Sequence, residues 1–269
     1  MPLVDAHAHI HGREYAADRP QMLERARAQG VVAIVTAGTD LTSSEAACAL
    51  AEAEPIVWAA VGVHPHDAAS APPSAGERLR QLAGSRRVVA VGEIGLDFYR
   101  DLSPRDVQRR VFERQLALAA DLDLPAVIHS RDADEATHAI LAPWAAGRRA
   151  SGASEPFGVM HCYAYGAERV LAYTGLGLFI SIPGTVTYPK AVSVHDGATA
   201  APADLLVLET DCPYLTPQSR RGRRNEPALL AETVRRIAEL RGVDEDELRL
   251  KTTENARRLY RLPALGASE

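Results

Sequence analysis

Val88-Val-Ala-Val-Gly-Glu93, then a polar stretch, then Ala126-Val-Ile-His129: the fold is decided between these two short apolar runs. Each run suits a buried strand and is too short for a helix with a complete apolar face. Between them, Ser103 is placed to cap a helix and Pro104 to sit in its first turn. Val111, Leu118 and Leu122 then recur at i, i+7 and i+11 on one face. Strand, helix, strand, with the strands apolar throughout, predicts two parallel strands buried beneath a crossover helix.

Working outward, the same punctuation predicts eight strands, at Leu3–His7, Val31–Ala37, Val57–His64, Val88–Glu93, Ala126–His129, Gly158–His161, Leu178–Ile182 and Leu205–Asp211. Asn225 with Pro227 opens a further helix whose inner face is Leu230, Val234 and Ile237. Asp244 and Glu247, spaced as a capping box, open the last one. Ala69–Gly76, Gly147–Pro156 and Ser193–Asp204, rich in Ser, Gly, Ala or Pro, read as surface loops. The expected class is α/β. Eight strand–helix units in 269 residues favour a closed (β/α)8 TIM barrel over an open doubly wound sheet, as a single domain over 1–269.

Thirty Lys and Arg against 35 Asp and Glu give a net charge of −5, so no global positive field draws the chain onto a polyanion. Lys190 and Lys251 are the only lysines, and Schiff-base chemistry has almost no candidates. Three widely spaced cysteines, Cys48, Cys162 and Cys212, argue for a reducing compartment and against a disulfide framework. The apolar run Ile56–Val63 is far short of a membrane span, and Met1–Ile10 lacks a basic region followed by an apolar one. The expectation is a soluble cytoplasmic protein.

Five of the eight strands end on, or run straight into, a histidine or carboxylate: His7 with His9, Glu93, His129, His161 and Asp211. In a barrel these ends converge on one mouth. The strand period of two puts Asp5, His7 and His9 on one face of their strand, and likewise Glu209 with Asp211 on one face of theirs. Imidazoles and carboxylates without thiolates suit borderline to hard divalent ions such as Zn, Mn or Mg. His7, His9 and Asp211 can hold one ion and His129 with His161 a second, with Glu93 bridging. Two ions about 3.5–4 Å apart activate a shared water and clamp the oxygens of the transition state, which is hydrolase chemistry. His11, His138 and His195 read instead as hydrogen-bonded structural residues, His138 in a helix and His195 in a loop. Cys162 and Cys212, neighbours of inward ligands, read as packed thiols, and Cys48 as helix core.

Asp5-Ala-His7-Ala-His9, Gly62-Val-His64-Pro65, Gly92-Glu93-Ile-Gly95-Leu-Asp97-Phe98, Ile128-His129-Ser-Arg131, Met160-His161-Cys162, Glu209-Thr-Asp211-Cys-Pro213 and Arg223-Arg-Asn225-Glu-Pro227 together resemble the TatD family of metal-dependent deoxyribonucleases, in the family's order and from Leu3 to about Tyr260. The resemblance implies a TIM barrel of the metallo-dependent hydrolase type, with His7, His9, Glu93, His129, His161 and Asp211 on its metal-ligand positions. It further implies 3′-to-5′ exonucleolytic hydrolysis of DNA. The family's serine after His161-Cys162 is missing from Cys162-Tyr163-Ala164-Tyr165-Gly166, and Cys212 replaces its usual alanine.

Arg220-Arg-Gly-Arg223-Arg224 follows the eighth strand, where such barrels commonly hold phosphate, and one or two of its arginines are expected to reach substrate. His64 and Arg131 are expected to join Arg223 on the phosphate. In the expected mechanism Glu93 and Asp211 are catalytic, Asp211 doubling as ligand and proton acceptor, while Glu209 orients an inner group. The expected cofactors are two divalent metal ions (Mg, Mn or Zn). The expected partner of a monomer is DNA, single-stranded or at 3′ ends, with no membrane. Three alternatives stand beside this: an ester hydrolase acting on misacylated tRNA, a cyclic amidohydrolase, and a barrel without activity that serves as a binding partner. The lysine-bridged amidohydrolase is disfavoured because neither Lys190 nor Lys251 is suitably placed, and the inactive barrel because all six ligand positions are present.

Overall fold

A computed structural model describes residues 1–264, and positions 265–269 of the expected 1–269 domain lie outside the described residues. Eight strands form one sheet in chain order: β1 (Leu3–Ala8), β2 (Val31–Ala37), β3 (Val57–Val61), β4 (Val88–Asp97), β5 (Ala126–Arg131), β6 (Gly158–Met160), β7 (Leu178–Ile182) and β8 (Leu206–Leu208). The pairs β3·β4, β4·β5, β5·β6 and β7·β8 are parallel. The principal helices are α1 (Arg19–Ala28), α2 (Leu41–Ala53), α3 (Ala75–Leu82), α4 (Arg105–Asp121), α5 (Asp134–Ala150), α6 (Val170–Thr174), α7 (Val192–Ala200), α8 (Leu230–Arg241) and α9 (Glu245–Tyr260). Among the described residues no helix is long and apolar enough to cross a membrane.

The chain divides into two compact units. The first holds Met1–Val35, Cys162–Leu171 and the chain from Ile180 onward. Within it the segment after β8 returns beside β1: Asp211 N donates to His7 O (3.0 Å) and His9 N to Cys212 O (2.7 Å). This meeting of first and last strands is what a closed sheet requires. α9 covers both strands, with Tyr260 Oη donating to Ala6 O and Asn255 Nδ2 to Leu206 O. Leu230, Val234 and Ile237 of α8 are buried as expected. Asp244 caps α9 by accepting from Asp246 N and Glu247 N, one half of the expected capping box. Ser193–Asp204, expected to be a loop, is helical through Ala200. Its alanines favour helix enough to offset Gly197, and that glycine is needed where a Cβ would stand 2.8 Å from the Tyr163 ring.

The second unit holds Thr36–His161 and Ala172–Phe179. Here the expected inner stripe of α4 is displaced. The buried residues are Gln108, Phe112, Gln115, Leu116, Leu118 and Ala119, while Val111 and Leu122 are only half-buried. Two glutamines on the inner face explain the error. Gln108 Oε1 accepts from Asp97 N and its Nε2 donates to Asp97 O. Gln115 makes the same pair of bonds to Val63. Gln108 satisfies the backbone of the last residue of β4 and Gln115 that of Val63, just past β3, and neither shows in a pattern of apolar spacing. Ser103 does not cap α4. Its Oγ donates to His66 O and accepts from Ala69 N, tying two loops together.

Candidate metal-binding site

In the second unit β4 does not stop at Glu93 as expected. It runs on to Asp97, and β5 runs past His129 to Arg131, because the two strands stay paired as far as Asp97 and Arg131. A register shift between Val91 and Ile94 admits the extra length and leaves Gly95 beside His129. Gly95 has φ +145°, and a Cβ on it would lie 1.9 Å from His129 O. Only glycine lets β4 pass this close to the histidine.

Three imidazoles surround one oxygen of Glu93. His129 Nδ1 lies 2.8 Å from Glu93 Oε1, and His64 Nε2 and His161 Nε2 each lie 3.3 Å away. Glu93 is 3% exposed. Burial would raise its pKa, but the neighbouring His161 and His64 and the hydrogen bond from His129 hold it well below the usual range, so it is ionised. His64 accepts from His66 N at Nδ1, which leaves its proton on Nε2, facing Glu93. Burial pushes His64 down to about 4 despite Glu93, so the ring is neutral near pH 7. With both ring nitrogens turned inward and 7% exposure, His64 is engaged within the group.

Asp97 lies behind His129. Its Oδ2 is 3.2 Å from His129 Nε2 and 2.9 Å from His66 Nε2, and its Oδ1 accepts from Tyr99 N and Arg100 N. Burial opposes ionisation of Asp97, but these hydrogen bonds outweigh it and hold its carboxyl well below the usual range. For His129 burial likewise opposes charge, yet Asp97 and Glu93 on its two sides raise its pKa. Sequence reasoning assigned Asp97 and His66 no role. The alternation of Glu93, Gly95 and Asp97 along one strand was the available signal.

The first unit carries a second group. His7 Nε2 lies 3.2 Å from His9 Nε2 and 3.7 Å from Asp211 Oδ1, and His9 Nε2 lies 3.4 Å from that same oxygen. These three donor atoms fall within the span of one coordination sphere. Asp211 adopts φ +52°, the left-handed turn that follows β8. Glu209, fully buried, accepts from Cys162 N (2.7 Å) and Ser181 Oγ (2.6 Å), so it braces the loop after β6 against β7. Asp5, also fully buried, accepts from Thr210 N and Thr210 Oγ1.

The basic loop is divided in its roles. Arg224 clamps Asp18 with two 2.7 Å hydrogen bonds, and Arg221 stacks over the Tyr188 ring, leaving Arg220 and Arg223 as the exposed arginines not so engaged. Arg131 is exposed at the end of β5. His138 lies on α5 as expected, 5.8 Å from the Tyr173 ring. His195 lies on α7 rather than in a loop, bonded to Val186 O. Burial pushes the Cys48 thiol up to about 11 and raises that of Cys212 further, so both stay protonated and unreactive.

The model of the TatD-related DNase family matches residues 4–261 of this chain. An uncharacterized metal-dependent hydrolase of Bacillus subtilis, YabD, is 38% identical over 260 residues, covering 97% of this chain and 99% of the relative. The 3′-5′ ssDNA/RNA exonuclease TatD of Pantoea vagans is 38% identical over 266 residues, covering 97% and 100%. The crystal structure of YJJV, a TatD homolog from Escherichia coli K12, superposes with a TM-score of 0.89 at 30% identity, covering 97% and 98%.

Proposed function

Because this chain belongs to the TatD-related DNase family and is a metal-dependent hydrolase, we propose that it is a 3′-to-5′ exonuclease that hydrolyses phosphodiester bonds at the 3′ ends of single-stranded DNA. The observation that carries this reading is the pair of imidazole–carboxylate groups at the ends of their strands. Both sets consist of imidazole nitrogen and carboxylate oxygen donors, which fit Mg, Mn or Zn. His7, His9 and Asp211 would hold one ion, and Glu93, His129 and His161 a second. Bound divalent ions would supply an acidified water and neutralise charge on the phosphoryl oxygens.

The remaining work falls to the chain itself. Asp211 accepts the proton released when water attacks phosphorus; the P–O bond to the departing nucleoside oxygen breaks, and that oxygen takes a proton from solvent. Glu93 is kept ionised by the imidazoles around it. His64, neutral and hydrogen-bonded inside the group, orients Glu93. Arg131 and Arg223, both exposed, offer planar donor forks to the phosphate oxygens.

The test uses end-labelled single strands with the chelated protein, then with Mg, Mn or Zn restored. Glu93→Ala and Asp211→Asn are each expected to lose at least ~100-fold of the metal-dependent rate. Full activity in either variant, or a wild-type protein inert on DNA with every metal, overturns the reading.

A further inference from the structure

Among the described residues two aromatic rings are exposed, Tyr99 at 61% and Tyr214 at 60%. Tyr99 follows β4, which carries Glu93 and Asp97, and Tyr214 lies three residues beyond Asp211. The Tyr214 ring lies 6.1 Å from that of His9. Tyr99 follows Asp97, the carboxylate that holds His129, and Asp97 Oδ1 accepts from Tyr99 N.

What lies against Tyr99 is a cation. The Arg131 guanidinium stacks 3.9 Å from the ring centroid. Such a stack in water adds little stability and does not explain an exposed tyrosine by the fold alone. The backbone holding the pair is nevertheless well fixed: Arg131 pairs with Asp97 across the β4·β5 ladder, and Phe98 N donates to Arg131 O. Arg105 lies 4.4 Å from the Phe98 ring, which extends positive charge along the same edge.

We propose that Tyr99 and Arg131 form a nucleotide subsite: an unpaired base stacks on the face of Tyr99 that Arg131 leaves open, and the in-plane N–H groups of Arg131 hold an adjacent phosphate. The subsite rests on the nucleic-acid reading above and specifies which substrate it takes. An aromatic face accepts any base, but only one that is free of a duplex, so the subsite selects single strands without selecting sequence. A guanidinium stacked on a ring keeps its donors in plane, where phosphate oxygens can reach them. Arg131 stands two residues beyond His129 on β5, about 7 Å along the strand, which matches roughly two stacked nucleotides at about 3.4 Å each.

The test measures affinity for labelled single strands in an Asp211→Asn background that keeps the strand uncut. One strand is intact, and others carry a single abasic site at successive positions from the 3′ end. Tyr99→Ala is expected to weaken the intact strand about 5- to 100-fold, and Tyr99→Trp to retain binding. At one position the abasic site is expected to cost as much as Tyr99→Ala, and the two losses together no more than either alone, because each removes the same stack. Equal weakening of intact and all abasic strands by Tyr99→Ala, or no weakening, overturns the subsite while leaving the nuclease reading in place. Failure of the parent protein to bind any strand overturns the nuclease reading, and the subsite with it.

Discussion

Asp97 Oδ2 lies 3.2 Å from His129 Nε2, on the opposite side of the imidazole from Glu93. As the structure stands, His129 donates to Glu93 from Nδ1. Were a cation held beside Glu93, the ring would have to release that proton, and the ionised Asp97 would keep the remaining one on Nε2 and leave the Nδ1 lone pair to the cation. Asp97→Asn should reverse this. Tyr99 N and Arg100 N would keep the amide oxygen on their side, which turns the NH2 group toward His129 and favours the other tautomer. Metal affinity measured by calorimetry with Mn or Zn should fall about 10- to 100-fold. An unchanged affinity in a folded variant would count against this role.

Gly95→Ala should be severely destabilising, because the new methyl would sit 1.9 Å from His129 O. Relieving that overlap means parting β4 from β5 beside Glu93 and His129. The expected loss is at least about 3 kcal/mol in urea unfolding, with reduced metal affinity in whatever folds. Gly147→Ala is the control, since its Cβ would meet nothing within 4 Å. That change, in the interior of α5, should be neutral or stabilise by about 0.5–1 kcal/mol.

Arg223 and Arg224 are adjacent in sequence but should fail differently. Arg224 is committed to Asp18, whose carboxyl this pairing holds down at about 2, and Arg25 joins Asp18 to Glu226. Arg224→Ala should cost up to about 1 kcal/mol of stability, as expected for a partly exposed network, with little change in KM. Arg223→Ala should leave unfolding unchanged and raise KM for a single-stranded oligonucleotide several-fold. Identical effects of the two changes on KM would contradict this division.

Asp5 gives the pH prediction. Its complete burial pushes the carboxyl up to about 7, against two hydrogen bonds from Thr210. In the unfolded chain it titrates near 3.9. Between about pH 4 and 7 the folded protein therefore holds a proton that the unfolded chain has released. Asp5's contribution to stability is fully present below about pH 4 and is lost as pH rises to about 7. Asp5→Asn keeps an acceptor for Thr210 N and presents an N–H to Thr210 Oγ1. Relative to wild type, its stability without metal should improve as pH rises through that window, by up to about 1.4 kcal/mol per unit. A difference that does not vary with pH would show that Asp5 ionises freely when folded.

The fold was legible because each strand is a short apolar run bounded by turn residues, and burial in a parallel sheet requires that pattern. β2 and β7 were placed to the residue. β3, β6 and β8 end short of the expected His64, His161 and Asp211, at Val61, Met160 and Leu208, whereas two ends overrun for one cause. β4 and β5 extend beyond Glu93 and His129 because Gly95 and a register shift let them stay paired, and no local pattern reports a pairing partner. The inner face of α4 was misplaced because Gln108 and Gln115 are buried by backbone groups remote in sequence.

By itself the sequence determined the strand–helix alternation, the family, and the histidines and carboxylates at strand ends, since these are properties of residue type and spacing. Only the tertiary structure decided what those side chains do to one another. It turned His64 inward onto Glu93, set Asp97 behind His129, committed Arg224 to Asp18 and stacked Arg131 on Tyr99. Charge state, tautomer and stacking depend on atoms a few ångströms apart that come from distant parts of the chain. Those separations arise when the strands pair.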